Sequence, residues 1–434
     1  MNLVLLEISM TACARFYTRS DLIKGIHMAS TTLKISARLA AIALLALLGT
    51  AGAAMAKNSG PGGFGINTTG GDGGDTVHVT TPAQLRNELC RSLDAAGYCN
   101  DDAPRIVVVD RTIDFRGLEG SAMGLGCHPY SNKSEALLLL NSSDTRCNDF
   151  VTSQIQYDKV GRHPIMVGSN KSLVGTGTSG IIKGTGLRLL AVRNVIIRNV
   201  TIRDINPSVV FAGDAINLAG VDNVWIDHNW IAMIGRQMIA GDFDSLTHIT
   251  ISWNEFDGRT PYASGGDGNH YWNMLFETGT NSTQSITIAN NWIHNFAARA
   301  PIATGNGVIQ IVNNYFQTGS GHALHAYSGI NALLEGNYFD QVRTPVLKNT
   351  QPSDVGSVFA VVGSNNDTAS ICFQYINRKC GNNIVMGARD QSGLDHDQTV
   401  LKAVKNLLPL KTIEPSDTST IPAVVKAQAG PGHI

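Results

Sequence analysis

From Asn194 to Phe339 the chain repeats one short arrangement of apolar and polar positions six times: NVIIRNVTI from Asn194, NVWIDHNWI from Asn223, HITISWNEF from His248, SITIANNWI from Ser285, VIQIVNNYF from Val308 and NALLEGNYF from Asn331. Each unit alternates apolar and polar residues, breaks at a polar corner and resumes with a second apolar pair. Period-two alternation predicts strands and excludes a helical solenoid. In five units one position is asparagine: Asn229, Asn254, Asn291, Asn314 and Asn337, at spacings of 25, 37, 23 and 23 residues. A repeat of about this length, with three short strands per turn, predicts a parallel β-helix whose coils bury their apolar faces on one another.

Coils stacked about 4.8 Å apart would bring Ile226, Ile251, Ile288, Ile311 and Leu334 into one inward aliphatic ladder. The asparagines would form a polar ladder beside it, their amides bonding corner backbone groups that have lost sheet partners. The 37-residue interval is about 14 residues longer than its neighbours, which predicts an insertion near residues 257–275. Insertions in solenoids leave on one face and often build the binding site. This one carries Tyr262, His270, Tyr271 and Trp272. Trp230, Trp253 and Trp292 fall within the repeat units and are expected to pack. Trp272 is the better candidate to stack against a flat ligand ring. Residues before Asn170 read as an N-terminal cap with long loops. After about Val346 the periodicity fades into a polar stretch and a short helical run near residues 399–408, ended by Pro409. That tail is expected to lie along the solenoid and protect an exposed edge.

Composition removes several function classes. Among 434 residues, 33 Lys plus Arg balance 34 Asp plus Glu and only 15% are charged, so the basic footprint of a nucleic-acid binder is missing. With 43% apolar residues the chain can build a core and is not disordered. The 45 glycines fit corners that need positive φ. Near the N-terminus, Lys34 and Arg38 precede an apolar run from Leu39 to about Leu48, and Ala54-Met55-Ala56 offers a small-x-small cleavage site, as in a secretory signal peptide. A membrane anchor is the alternative, but the run is shorter than the ~20 residues a span needs. Residues 1–56 are therefore read as a leader, with Met28 a possible true start, and 57–434 as one exported domain with no membrane segment. Cys13 leaves with the leader. Six cysteines remain, an even number in an oxidising compartment. Cys372 with Cys380 is the expected pair, and the pairing of Cys90, Cys99, Cys127 and Cys147 stays open. A zinc site is the alternative, without the CxxC or Cys/His spacing that supports one.

Three charged residues occupy comparable places between the corner of one coil and the strand of the next: Asp214, Arg236 and Arg299. Arg236 and Arg299 are expected two coils apart, about 10 Å by the stacking distance. An acid and two arginines on one face of a charge-poor chain read either as a structural ion-pair cluster or as a catalytic site. Asp227 and His228, set in a strand, read as a structural hydrogen-bond network. His322 and His325 read as walls of a cleft or as satisfied loop histidines.

The stretches GDAINLAGVDNVWIDHNWIAMIGRQ (213–237), DGNHYW (267–272), AARAPIATGNGVIQIVNNYF (297–316), SGHALHAYSGINALLEGNYFDQV (320–342) and NKSLVGTG (170–177) resemble the pectin lyases of the pectate lyase superfamily. The resemblance is dense over residues 165–350. It implies an all-β, right-handed single-stranded parallel β-helix and a polysaccharide lyase that cleaves methyl-esterified polygalacturonan by β-elimination. Pectate lyases hold calcium with several carboxylates around the residue matching Asp214. One of those positions is here Arg236, as in pectin lyases, and a guanidinium is no calcium ligand. Calcium independence and no cofactor are the expectations. The resemblance further implies that Arg236, oriented by Asp214, stabilises the developing oxyanion. It makes Arg299, first residue of an R-x-P motif, the group that takes the proton. Trp272, Tyr271, His270 and Tyr262 are the expected substrate contacts, with methylated pectin the partner of a secreted monomer.

This chain departs from the family patterns in four respects. The residue after R-x-P, commonly lysine in fungal pectin lyases, is Ile302, and Thr304 stands where pectate lyases carry an arginine. Gly266 replaces a cysteine before DGxHYW. The N-terminal half lacks cleft tryptophans. A calcium-dependent pectate lyase and a non-catalytic carbohydrate-binding β-helix are the alternatives. A polygalacturonase would need clustered carboxylates, and the repeats display none in sequence.

Overall fold

The computed structural model describes residues 60–129, 137–139, 147–348, 351, 355–363, 366–407 and 411–434. The leader, Cys13 and Pro409 lie outside the described residues. Each coil runs through three parallel sheets in turn. Sheet one stacks Lys171–Gly175, Arg193–Arg198, Val221–Asp227, Leu246–Ser252, Gln284–Ala289, Gly307–Val312, Ile330–Glu335 and Ser357–Val362. Sheet two follows the corner, with Thr201–Ile205, Trp230–Ile234, Glu255–Asp257, Trp292–Phe296 and the starts of Tyr315–Ala326 and Tyr338–Val346. Sheet three closes the turn with Leu187–Leu190, Ile216–Ala219, Ile239–Gly241, Met274–Glu277 and Ile302–Thr304. This is the expected parallel β-helix.

Register explains why the repeat is so regular. Ile197, Ile226, Ile251, Ile288, Ile311 and Leu334 pair in sequence, and all are buried. Phe256, Ile293, Phe316 and Phe339 form a second column in sheet two. Between them runs the asparagine ladder, fully buried. Asn291 shows its logic: its Oδ1 accepts from the backbone N–H of Asn254 at 2.9 Å and from Asn254 Nδ2 at 3.0 Å, and its Nδ2 donates to Ile251 O and to Asn314 Oδ1, both at 2.9 Å. The ladder continues to Asn383, whose Oδ1 accepts from the N–H and Nδ2 of Asn337. At its C-terminal end the solenoid therefore continues one coil beyond the sequence pattern. Helices Asn366–Ile371 and Phe373–Ile376 interrupt that coil between Ser357–Val362 and Asn382–Met386, and this is where the periodicity fades.

The N-terminal end is covered by helix Pro82–Leu89, which buries Leu85 and Leu89 and is capped by Thr81 Oγ1 accepting from Gln84 N–H at 3.2 Å. Ahead of it, residues 60–71 cross the outside of sheet one. The N–H groups of Phe64, Gly65 and Gly71 donate to the hydroxyls of Thr287, Thr250 and Ser172. A Cβ on Gly71 would stand 2.0 Å from Arg105 O, so this crossing needs glycine. The tail does lie along the solenoid: Thr399–Asn406 buries Val400, Leu401 and Val404 against Leu333 and Phe359. Ile421–Gln428 covers Trp253, Trp292 and Tyr315.

A four-stranded lobe built on Ser121–Cys127, Leu137–Leu139, Thr152–Asp158 and Val209–Val210 stands beside sheet three. The disulfides are Cys90–Cys99, Cys127–Cys147 and the expected Cys372–Cys380, so these six thiols are not zinc ligands.

Candidate functional site

Sheet three places the charged residues. Ile216 pairs with Ile239, Ile239 with Met274, and Leu275 with Ile302. Asp214, Arg236 and Arg299 each stand two or three residues ahead of these strands, at the same edge of successive coils. Arg236 and Arg299 are two coils apart, as the spacing predicts.

Asp214 and Arg236 make a direct pair. Arg236 Nη1 donates to Asp214 Oδ2 at 3.2 Å, and the Gln237 N–H donates to Asp214 Oδ1 at 2.9 Å. Burial pushes the Asp214 carboxyl up, against the lowering effect of Arg236 and the Gln237 amide. The Arg236 guanidinium also lies 5.3 Å from the centre of the Phe211 ring. A pocket of about 260 Å³ opens beside it, lined among others by Arg162, Arg188, Phe211 and Asn217.

Arg299 has a left-handed backbone, φ +56°, a conformation that costs a non-glycine residue about 1 kcal/mol and concentrates at functional positions. Its carbonyl accepts from Met274 N–H at 2.6 Å, and the following Ala300 N–H donates to Ala323 O. The guanidinium sits 5.7 Å from the centre of the Tyr271 ring. On the next coil His322 is held neutral, its pKa pushed down to about 4 by burial and then by His325 and Arg299.

Two expected contacts require correction. Trp272 is 3% exposed. It packs with Cys127, Cys147 and Val210 under the antiparallel lobe, so its face is not open for stacking. His270 is also buried. Its Nε2 donates to Arg236 O at 2.8 Å and to Trp272 O at 2.9 Å, and burial drives its pKa down to about 4. It is a neutral pin that fixes the Arg236 backbone, not a substrate contact. Tyr271 stays half-buried under Arg299. Tyr262 is half-buried on the insert, its N–H donating to Thr260 Oγ1.

Sequence reasoning missed Asp242 and Glu277. Glu277 ends the strand Met274–Glu277. Burial, then Asp242, raises its pKa, while Arg299 and Arg236 oppose the rise. Asp242 also acts on Asp214. Three carboxylates therefore gather where the repeats displayed none. The available signal was alternation along the third strand of each coil, which turns both residues outward.

Asp227 matches its structural reading: it is buried and accepts from Arg198 Nε, His228 Nδ1 and Ser252 Oγ at 2.6–2.8 Å. Among the described residues, the group that could hold a metal is Glu255, Asp257 and His294. It lies on sheet two, and Asp257 is already bound by Arg259 through Nε and Nη2.

Comparison with known proteins identifies the family. The family model described as pectate lyase matches residues 139–380. The chain is 36% identical to pectin lyase D of Aspergillus niger over 91% of its own length and 99% of the relative. It is 38% identical to a probable pectin lyase D of Emericella nidulans, over 72% and 79%. Among solved structures it resembles a pectate lyase from Bacillus sp. N165 in complex with trigalacturonate, with TM-score 0.53 and 24% identity over 86% of this chain and 99% of that one. A pectate lyase from Paenibacillus sp. 0602 gives TM-score 0.54 at 14% identity, covering 86% and 96%. At those identities the structural likeness speaks for the fold alone.

Proposed function

The chain belongs to the pectate lyase family, and from that premise we propose how it acts as a pectin lyase: Arg299, Arg236 and Asp214 carry a calcium-independent β-elimination on methyl-esterified polygalacturonan outside the cell. The observation that carries this reading is the Asp214–Arg236 pair at the edge of sheet three, with Arg299 two coils further on.

Elimination removes the C5 proton beside the galacturonate carbonyl and expels the 4-oxygen, leaving a double bond between C4 and C5. Charge builds on the carbonyl oxygen as the proton departs. A methyl ester makes that proton more acidic than a carboxylate would. Arg236, held by Asp214 and pinned through its carbonyl by His270, is preorganised to receive the charge, which is often the largest catalytic contribution. A divalent ion would serve the same purpose, and Arg236 supplies fixed positive charge without one.

Arg299 takes the proton. A free guanidinium has a pKa above about 12, so the site must favour its neutral form. Arg236 two coils away acts in that direction, against the Glu277 carboxyl, which lies within electrostatic reach of both arginines. Three disulfides support an oxidising, extracellular compartment, and the leader through Ala56 is the export signal.

The deciding assay uses highly esterified pectin with and without excess chelator, read by ultraviolet absorbance of the unsaturated product. Activity that survives chelation supports the proposal. Activity confined to polygalacturonate with added calcium would make the protein a pectate lyase, and binding without product would make it a carbohydrate-binding β-helix. N-terminal sequencing of exported protein, expected to begin at Lys57, tests the leader.

A further inference from the structure

Two rows of side chains face outward from sheet three. Register puts Arg188, Asn217, Ala240, Leu275, Ile302 and His325 in one row across successive coils. Its middle is apolar, with Ala240 and Leu275 buried and Ile302 half-buried, and spans the coils that carry Arg236 and Arg299. The neighbouring row is acidic: Glu277 pairs with Thr304, and Asp242 follows Gly241, the partner of Phe276, on the coil before. Asn217 Nδ2 donates to Asp242 Oδ2 at 2.7 Å and fixes that carboxylate toward the row.

Two arginines alone would select the wrong polymer. A guanidinium binds a free carboxylate better than an ester, through paired charge-assisted hydrogen bonds. A site holding Arg236 and Arg299 without counter-charge would therefore hold pectate in its ground state. Glu277 stands on the coil between those two, within electrostatic reach of both and of Asp242.

We infer that Glu277, with Asp242, selects the substrate's ester state: the two carboxylates repel a free galacturonate carboxylate bound between Arg236 and Arg299 and leave unopposed a methyl ester seated against Ile302, which is half-buried in the apolar row. Specificity then comes from a repulsive element added to an attractive one. The inference rests on the lyase reading above and names the feature of its substrate that the site senses.

The experiment measures kcat/KM on pectins of high and low ester content for the full chain, Glu277→Gln and Asp242→Asn. The carboxamide of Asp242→Asn can still accept from Asn217. The expected result is a fall of about tenfold in the high-to-low ratio for Glu277→Gln, and a smaller fall for Asp242→Asn, as loss of one like charge relaxes discrimination. The wild-type ratio should also fall on acidification, at a pH above that at which an ordinary glutamate is neutralised, and stay flat in Glu277→Gln. The charged groups facing Glu277 in that titration are Asp242, Arg236 and Arg299. A purely structural role would lower both substrates together, and a ratio unchanged in both variants overturns the inference while the lyase reading stands. A wild-type protein that yields no unsaturated product from high-ester pectin overturns both.

Discussion

Arg299 and His270 illustrate how differently two residues of one site depend on their surroundings. Arg299→Ala should lower kcat by a factor of a hundred or more while leaving pectin binding measurable, since the lost interaction is made only in the transition state. The residual rate distinguishes two roles. If Arg299 accepts the proton, the variant's rate should rise in proportion to hydroxide, and wild type should not follow that line. If wild type follows it too, solvent hydroxide is the base and Arg299 only holds charge. His270 makes a stability prediction. Its folded pKa is lowered to about 4 from 6.5, so between those values the unfolded chain binds a proton that the folded chain refuses. Stability therefore falls as pH drops from about 6.5 to about 4, by roughly 3 kcal/mol from this group. His270→Gln should flatten that part of a melting-temperature profile. An unchanged profile would mean that His270 does not report the acid sensitivity of the Arg236 segment.

The strand corners were the part of the fold most legible in sequence, because stacking forces the same side chain onto the same position in every coil. Asn291→Ala should cost about 3 kcal/mol, since it strips partners from two Asn254 donors and Ile251 O in a dry interior. A shift in melting temperature no larger than that of an exposed asparagine would contradict the ladder's role. Asn383 escaped because two helices are inserted before its strand, so it does not follow at the repeat spacing. Trp272 was misread for a different reason. Whether an inserted loop is open depends on what folds over it, and here that is the antiparallel lobe, through Cys127, Cys147 and Val210, with no periodic link to the insert. Asp242 follows a strand of three residues and Glu277 ends one of four, too short for alternation to be read without the register. The helix Ile421–Gln428 should be separable from the coils: deleting residues 421–434 uncovers Trp253 and Trp292 and should shift tryptophan emission to the red. Emission that does not move would place those rings in contact with something else.

Taken as one body, residues 57–434 carry a small negative charge, 28 Lys plus Arg against 32 Asp plus Glu, yet they collect Asp214, Arg236, Asp242, Glu277 and Arg299 on one side of sheet three. So small a net charge, of the same sign as a galacturonate carboxylate, gives no attractive long-range field to draw a polymer in, and opposed charges on adjoining coils cancel beyond a Debye length of about 8 to 10 Å. The site is therefore built to sense charge at contact distance only. For highly esterified pectin this predicts kcat/KM that changes less than about twofold when ionic strength rises from tens of millimolar to a few hundred. For low-ester pectin, repulsion at Glu277 acts over a few ångströms in a half-buried setting, where salt screens poorly, so added salt should improve that substrate only modestly. A steep, tenfold fall on esterified substrate would instead reveal steering by a net basic surface, and would locate recognition in Arg162 and Arg188 beside the cleft ahead of the balanced group on its floor.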